Sequence, residues 1–228
     1  MEWGPDATFA FQIFDEAGAK TFMEKFDLEP QKFITLTIRS GKQGFVEPGG
    51  ERELAHAAKL RDLIERYVNL TGNNVLICPE VRYEVEPARE LILDPLPQKI
   101  KDHVKFLDYF WLPDLAYTVY SKAEAVVTME AHSMIMALSV GTPTLHPRFL
   151  EAGRKAFMLE DLGVGEWLFD IDEDPVDKMI DELMEIHNNF EKAQGKVQSA
   201  MDFVHKRQNE TMEIVRNTLV NATNDKHK

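Results

Sequence analysis

The sequence predicts an α/β fold: a Rossmann-like, mostly parallel sheet with helices on both faces, ending in long helices. Two observations carry the prediction. Short apolar runs with β-branched residues recur between helical patterns, the signature of strand–helix units in a parallel sheet. In addition, Val126-Val-Thr-Met-Glu-Ala-His-Ser-Met-Ile-Met-Ala-Leu-Ser-Val-Gly-Thr-Pro-Thr-Leu145 reads as strand, polar turn, short helix, sharp stop and second strand.

Taken in order, Phe33 to Ile38 is the first well-defined strand. Gly41 to Gly50, with Gly44, Pro48, Gly49 and Gly50, is a mobile loop by composition. Glu51 to Leu70 keeps helical spacing through Leu54, Ala58, Leu63, Ile64 and Val68. Strands follow at Asn74 to Pro79 and His103 to Leu107, then a helix over Pro113 to Lys122 that opens on a first-turn proline. Ala125 to Thr128 is the next strand. Ser133 is placed to cap a helix running through Ile135 to Val140, which Gly141 and Pro143 end before a strand at Thr142 to His146. Met179 to Phe190 and Ala193 to Leu219 form the closing helices, with Gly195 a candidate break. The expected organisation is a lead-in and linker over 1–30, one Rossmann-like domain over 31–220 and a flexible tail over 221–228.

The 228 residues carry 26 basic and 39 acidic side chains, a net charge of −13, and no long basic patch; this disfavours nucleic acid and anionic membranes as partners. No apolar run approaches the roughly 20 residues of a membrane helix. The amino terminus lacks the basic and apolar regions of a signal peptide, so a cytoplasmic location is the default expectation. The single cysteine, Cys78, lies in the apolar run Val75-Leu-Ile-Cys78, reads as a core thiol, and fits a reducing compartment. The histidines show no metal-ligand spacing, so no metal is expected, and no cofactor is implied. The sequons at Asn69, Asn209 and Asn221 receive no role.

Candidate chemistry gathers at strand ends, where open α/β sheets bind ligands. Glu130 and His132 follow one strand directly, and the next helix start offers free N–H groups to an anion. His132 is the candidate acid or base, since an imidazole titrates near neutrality; a structural cap is the alternative. Glu130 could orient its ring or bind a hydroxyl, or be surface charge. Arg39 and Lys42 flank the end of the first strand and suit a phosphate or carboxylate, a solvated loop being the alternative. Glu80 holds the equivalent place in the next unit, or caps a helix there. Arg148, Arg154 and Lys155 form a local positive cluster that would draw an anionic ligand, or else line a charged helix face. The aromatic run Phe106-Leu-Asp-Tyr-Phe-Trp-Leu112 reads as core or interdomain packing ahead of a sugar platform. There is no Gly-x-Gly-x-x-Gly after a strand, no Walker loop and no Gly-x-Ser-x-Gly elbow, which removes the main support for nicotinamide, P-loop and serine-hydrolase readings.

From Gly4-Pro-Asp-Ala-Thr-Phe-Ala-Phe11 to Glu166-Trp-Leu-Phe-Asp170 the chain resembles the carboxyl-terminal half of the polysaccharide pyruvyl transferase family. The resemblance is carried by Phe110-Trp-Leu-Pro-Asp-Leu-Ala116, Met129-Glu-Ala-His-Ser-Met-Ile-Met-Ala137, Gly141-Thr-Pro143 and Lys155-Ala-Phe-Met-Leu-Glu-Asp-Leu-Gly163. It implies one half of a GT-B-type enzyme, with an amino-terminal domain missing and the active site in the cleft between halves. It further implies transfer of a pyruvyl group from phosphoenolpyruvate, or another anionic donor, to a sugar or polysaccharide acceptor as a ketal. By position, His132 and Glu130 would be catalytic, while Arg39, Lys42, Glu80, Ser133, Arg148, Arg154 and Lys155 would hold substrate. The chain departs from the family at Glu130, where many members carry arginine. A GT-B glycosyltransferase domain that binds a nucleotide sugar, and a noncatalytic binding module, are the alternatives.

Overall fold

The computed structural model describes residues 4–40 and 46–225. Six strands form one parallel sheet: β1 (Phe33–Thr37), β2 (Asn74–Ile77), β3 (Val104–Phe106), β4 (Ala125–Thr128), β5 (Thr144–Arg148) and β6 (Leu168–Asp170), in the spatial order β3-β2-β1-β4-β5-β6. Register is continuous across the middle, with Thr35 beside Leu76 on one side and Val126 on the other. The strand order reverses between β1 and β4, which opens a crevice at their carboxyl ends.

Helices cover both faces, and side-chain alternation along the strands divides the core accordingly. Ile34, Leu36, Val75, Ile77 and Val127 face one cluster together with α2 (Glu51–Thr71) and part of the carboxyl-terminal helices. Phe33, Leu76, Cys78 and Val126 face the other, beneath α1 (Glu16–Phe26) and α5 (Pro113–Tyr120). Between β2 and β3 lies a helical passage that includes α3 (Val85–Ala88) and α4 (Gln98–Lys101). Helix α6 (Ala131–Ser139) joins β4 to β5, and α7 (Met158–Asp161) precedes β6. Cys78 is fully buried, as expected of a core thiol, and burial pushes its pKa up to about 12.

Four local expectations are corrected. Ser133 is not the cap of α6: the helix starts at Ala131, Glu130 takes the extended capping position, and Ser133 sits in the first turn. The strand expected over Thr142 to His146 begins two residues later. Gly141 adopts φ 84° and the Thr142 N–H bonds back to Ala137, so this backbone still closes α6. The terminal helices part at Asn189, with φ −134°, while α9 (Phe190–Asp225) runs unbroken through Gly195 after α8 (Val176–Asn188). Finally, β6 and α1 exist where no element was expected. Asp15 caps α1 by accepting the Gly18 N–H at 2.8 Å, and Ala19, Phe22 and Met23 form its buried face.

Among the described residues no helix is long and apolar enough to cross a membrane.

Candidate functional site

The carboxyl ends of β1, β2, β4 and β5 deliver the polar residues of the crevice. Arg39 follows β1 and Glu130 follows β4, and because these strands are neighbours their side chains meet: Arg39 Nε lies 3.5 Å from Glu130 Oε1, both largely buried. The sequence reading held no such pairing of Arg39 with a strand-end carboxylate; the sheet order builds it, not sequence proximity.

Glu80, at the end of β2, reaches across β1 to the start of α6. Its Oε2 accepts the Ser133 N–H at 3.2 Å and the Ser133 hydroxyl at 2.6 Å, and Tyr120 donates to the same hydroxyl at 3.2 Å. The chain's own carboxylate thus satisfies part of the helix start that would otherwise attract an anion. His132 stands beside it, with Nδ1 3.9 Å from Glu80 Oε1 and a side chain 60% exposed. It faces the open side of the crevice, where a proton donor or acceptor can meet a ligand.

Arg148 is the last residue of β5, not a loop residue after it. Its guanidinium is almost fully buried, stacks 4.3 Å from the Phe157 ring, and brings Nη1 to 3.7 Å from Asp170 Oδ2. Neither Nε nor Nη1 has a hydrogen-bond partner among the described residues. Lys155 is exposed, and its charge acts on Glu130 and on Asp6. Arg154 is not drawn in: it is 70% exposed and pairs with Asp161 at 2.6 Å. Lys42 lies outside the described residues.

Two further groups complete the arrangement. His146, in the middle of β5, places Nδ1 2.7 Å from the Thr128 carbonyl, which fixes the proton on that nitrogen. Burial, together with the nearby Arg148 and Arg39, lowers its pKa to about 4 and keeps it neutral. Glu84, at the end of the short 3-10 turn Arg82–Glu84, is fully buried and turns its carboxyl toward Glu130. Burial first pushes the pKa values of Glu84 and Glu130 above the ordinary carboxylate range; Glu130 and Glu80 raise Glu84 further, Glu80 raises Glu130 further, and Arg39 pulls both back. Sequence reading had no signal for Glu84 except its place four residues after Glu80 in an irregular segment.

Beside the crevice is a cavity of about 430 Å³ whose lining includes Thr8, Phe11, Glu80, Trp111, Tyr120 and His132. Trp111 and Leu107 are buried, as the packing reading of the aromatic run expects, while Tyr109, Phe110 and Leu112 are exposed. Among the described residues no group of three or more histidine, cysteine or acidic side chains is placed to hold a metal ion.

Solved structures share this architecture. The chain is similar to the ADP-heptose LPS heptosyltransferase II of E. coli, with TM-score 0.55 and 13% identity over 79% of this chain and 54% of that one. The UDP-GlcNAc 2-epimerase of Methanocaldococcus jannaschii gives TM-score 0.55 and 12% identity over 77% and 44%. The S. aureus MnaA–UDP co-structure gives 0.52 and 14% over 78% and 42%. The chain spans about half the length of these structures, and the fold is that of one half of a GT-B-type protein. No curated protein matches it. The family model for polysaccharide pyruvyl transferase matches residues 2–146, a span that contains Arg39, Glu80, Glu84, Glu130 and His132, and the chain therefore belongs to that family.

Proposed function

We propose that this chain is the donor-binding half of a polysaccharide-modifying transferase that moves the pyruvyl group of phosphoenolpyruvate onto two hydroxyls of a sugar as a ketal. The observation that carries the reading is Arg148. A buried guanidinium with two N–H groups lacking partners, at a strand end beside the crevice, is matched by an anionic ligand. Arg39 and Lys155 add positive charge on the same side, and His132 stands at the opening.

The chemistry needs an acid. Proton transfer to the donor's methylene carbon forms a C–H bond from the alkene electron pair and leaves an oxocarbenium-like centre. The first sugar hydroxyl attacks that centre, and its proton returns to the acid. Phosphate then leaves with its bonding electrons, and the second hydroxyl closes the ketal, its proton ending on phosphate. Glu130 is suited to the acid role because burial and the Glu80 carboxylate hold its proton toward neutral pH. His132 would bind the donor phosphate or relay the second hydroxyl's proton to the departing phosphate, and Glu80 with Ser133 would hold the turn that carries it. This division accommodates glutamate where many family members carry arginine, since Arg148 supplies a cation from the neighbouring strand. The acceptor would be held largely by a second domain closing over the crevice, and the single buried thiol accords with a reducing, cytoplasmic setting.

A second reading, a donor domain for a nucleotide sugar, is favoured by the aromatic cavity next to Glu80 and His132, large enough for a small ligand. The MnaA structure, which is similar in fold, is a UDP co-structure. Calorimetric titration of phosphoenolpyruvate and of UDP-sugars into wild type, Arg39→Ala, Arg148→Met and His132→Ala separates the two. Phosphoenolpyruvate binding that weakens in all three variants supports pyruvyl transfer. Saturable binding of a UDP-sugar alone would replace it with the second reading.

A further inference from the structure

Glu84 is 0% exposed, and neither of its carboxyl oxygens has a hydrogen-bond partner at bonding geometry among the described residues. An ionised carboxylate in that state would bear the full cost of desolvation, so the stable form is the neutral acid, which carries one O–H to donate. The group that faces it is Glu130, whose Oε1 is likewise without a hydrogen-bond partner. The two are brought together by the sheet: Glu84 ends the turn after β2, and Glu130 ends β4, with β1 and Arg39 between them.

We infer that Glu84 is a positioning residue that stays protonated at neutral pH and donates its O–H to Glu130, setting the acidity of that carboxyl. This rests on the assignment of Glu130 as the acid in the proposed reaction, although the protonation pattern itself can be read without any substrate. The charged groups around the pair are Glu80, a like charge acting on both, Arg39, an opposing charge acting on both, and Lys155, which acts on Glu130. When Glu130 gives its proton to the methylene carbon, its O–H bond breaks and a buried carboxylate is left. The Glu84 O–H then stabilises that carboxylate until the attacking sugar hydroxyl returns a proton to it. Without Glu84 the same carboxylate would face Glu80 with Arg39 as the main compensation, so Glu130 would hold its proton more tightly and release it less readily.

The test is a pH titration, by carbon NMR of protein labelled at the glutamate carboxyl carbons, of the ligand-free wild type, Glu84→Gln and Glu84→Leu. The resonance that disappears in Glu84→Gln identifies Glu84, and in the wild type it should stay at its protonated position through neutral pH. Leucine removes the donor, so the Glu130 midpoint should rise by about one pH unit. Glutamine restores an N–H donor and should bring the midpoint back to within about half a unit of wild type. A downward shift in both variants would mean that Glu84 is an ionised neighbour, and the inference would be wrong. Should Glu84→Leu fail to fold, the wild-type titration decides alone, because a Glu84 resonance that ionises below neutrality also overturns the proposal. A failure of pyruvyl transfer with this titration pattern intact would instead remove the functional reading and leave the pair.

Discussion

Glu80 is anchored on the first turn of the helix that carries His132: it accepts both the backbone N–H and the hydroxyl of Ser133, at 3.2 and 2.6 Å, from a strand two places away in the sheet. The contact ties the β2 end to the α6 start and sets the angle at which His132 meets the crevice. Glu80→Ala should lower stability by about 1–2 kcal/mol, a cap lost together with a stranded buried hydroxyl. Urea unfolding measures the loss, and equal midpoints for variant and wild type would show that the contact carries no stability.

Arg148 places a cation where the protein itself offers incomplete compensation. Arg148→Met keeps most of the side-chain volume and the packing on Phe157 but removes one partner of the buried pair with Asp170, a change that destabilises because the carboxylate loses its cation. The variant should therefore melt earlier than wild type, and bind phosphoenolpyruvate at least about tenfold more weakly, one charge-assisted contact being worth more than 1 kcal/mol. Thermal melts and calorimetry on the same preparation test both halves.

The buried carboxyls make stability depend on pH in a defined direction. The folded-state pKa of Glu84 is raised, so the folded chain binds more protons than the unfolded chain from the ordinary glutamate value upward. Its contribution is fully present at acid pH and is lost as pH rises toward the folded value. Glu84→Gln removes that dependence. Denaturant midpoints should show the variant gaining on wild type as pH increases above about 4.3, by on the order of 1 kcal/mol per unit until the folded group titrates. His146 acts oppositely, its lowered pKa favouring the fold as pH rises from about 4 to 6.5, but it is common to both proteins and cancels in the difference.

At the other end of β4, Glu124 is buried, accepts the Tyr67 hydroxyl at 2.5 Å and lies 2.6 Å from His187 Nδ1. Tyr67→Phe removes one partner from a buried carboxylate and should cost about 1–3 kcal/mol. The effect should appear in urea unfolding without a change in ligand affinity, because this cluster lies at the amino ends of the strands, away from the crevice.

Cys78 is the only thiol, is fully buried, and has a raised pKa. Ellman's reagent should leave it unmodified in the folded protein and react fully after denaturation. Rapid labelling under native conditions would contradict the burial.

Much of the architecture was legible in the chain. The apolar runs that became β1 to β5 and the helices after β1, β3 and β4 are local patterns, because a strand buried on both faces must be apolar throughout and a covering helix must repeat its apolar positions every three to four residues. Arg39, Glu80, Glu130 and His132 could be picked out as strand-end residues for the same reason. Three-residue β6 and the passage between β2 and β3 were not legible: β6 is too short for a period and is held by pairing with β5, and Glu84 sits where no period exists.

The residue types at each strand end, and with them the capacity for acid–base and anion chemistry, were determined by the sequence alone. Which of those ends meet was decided only by tertiary structure, through the strand order. Placing β4 beside β1 set Arg39 against Glu130 with Glu84 behind them, and pairing β5 with β6 set Arg148 beside Asp170, while Arg154 stayed at the surface with Asp161. The physical reason is that hydrophobic periodicity encodes the burial of each segment on its own. The proton affinity of a carboxyl depends on desolvation and on charges brought from distant segments, and those exist only once the sheet has formed.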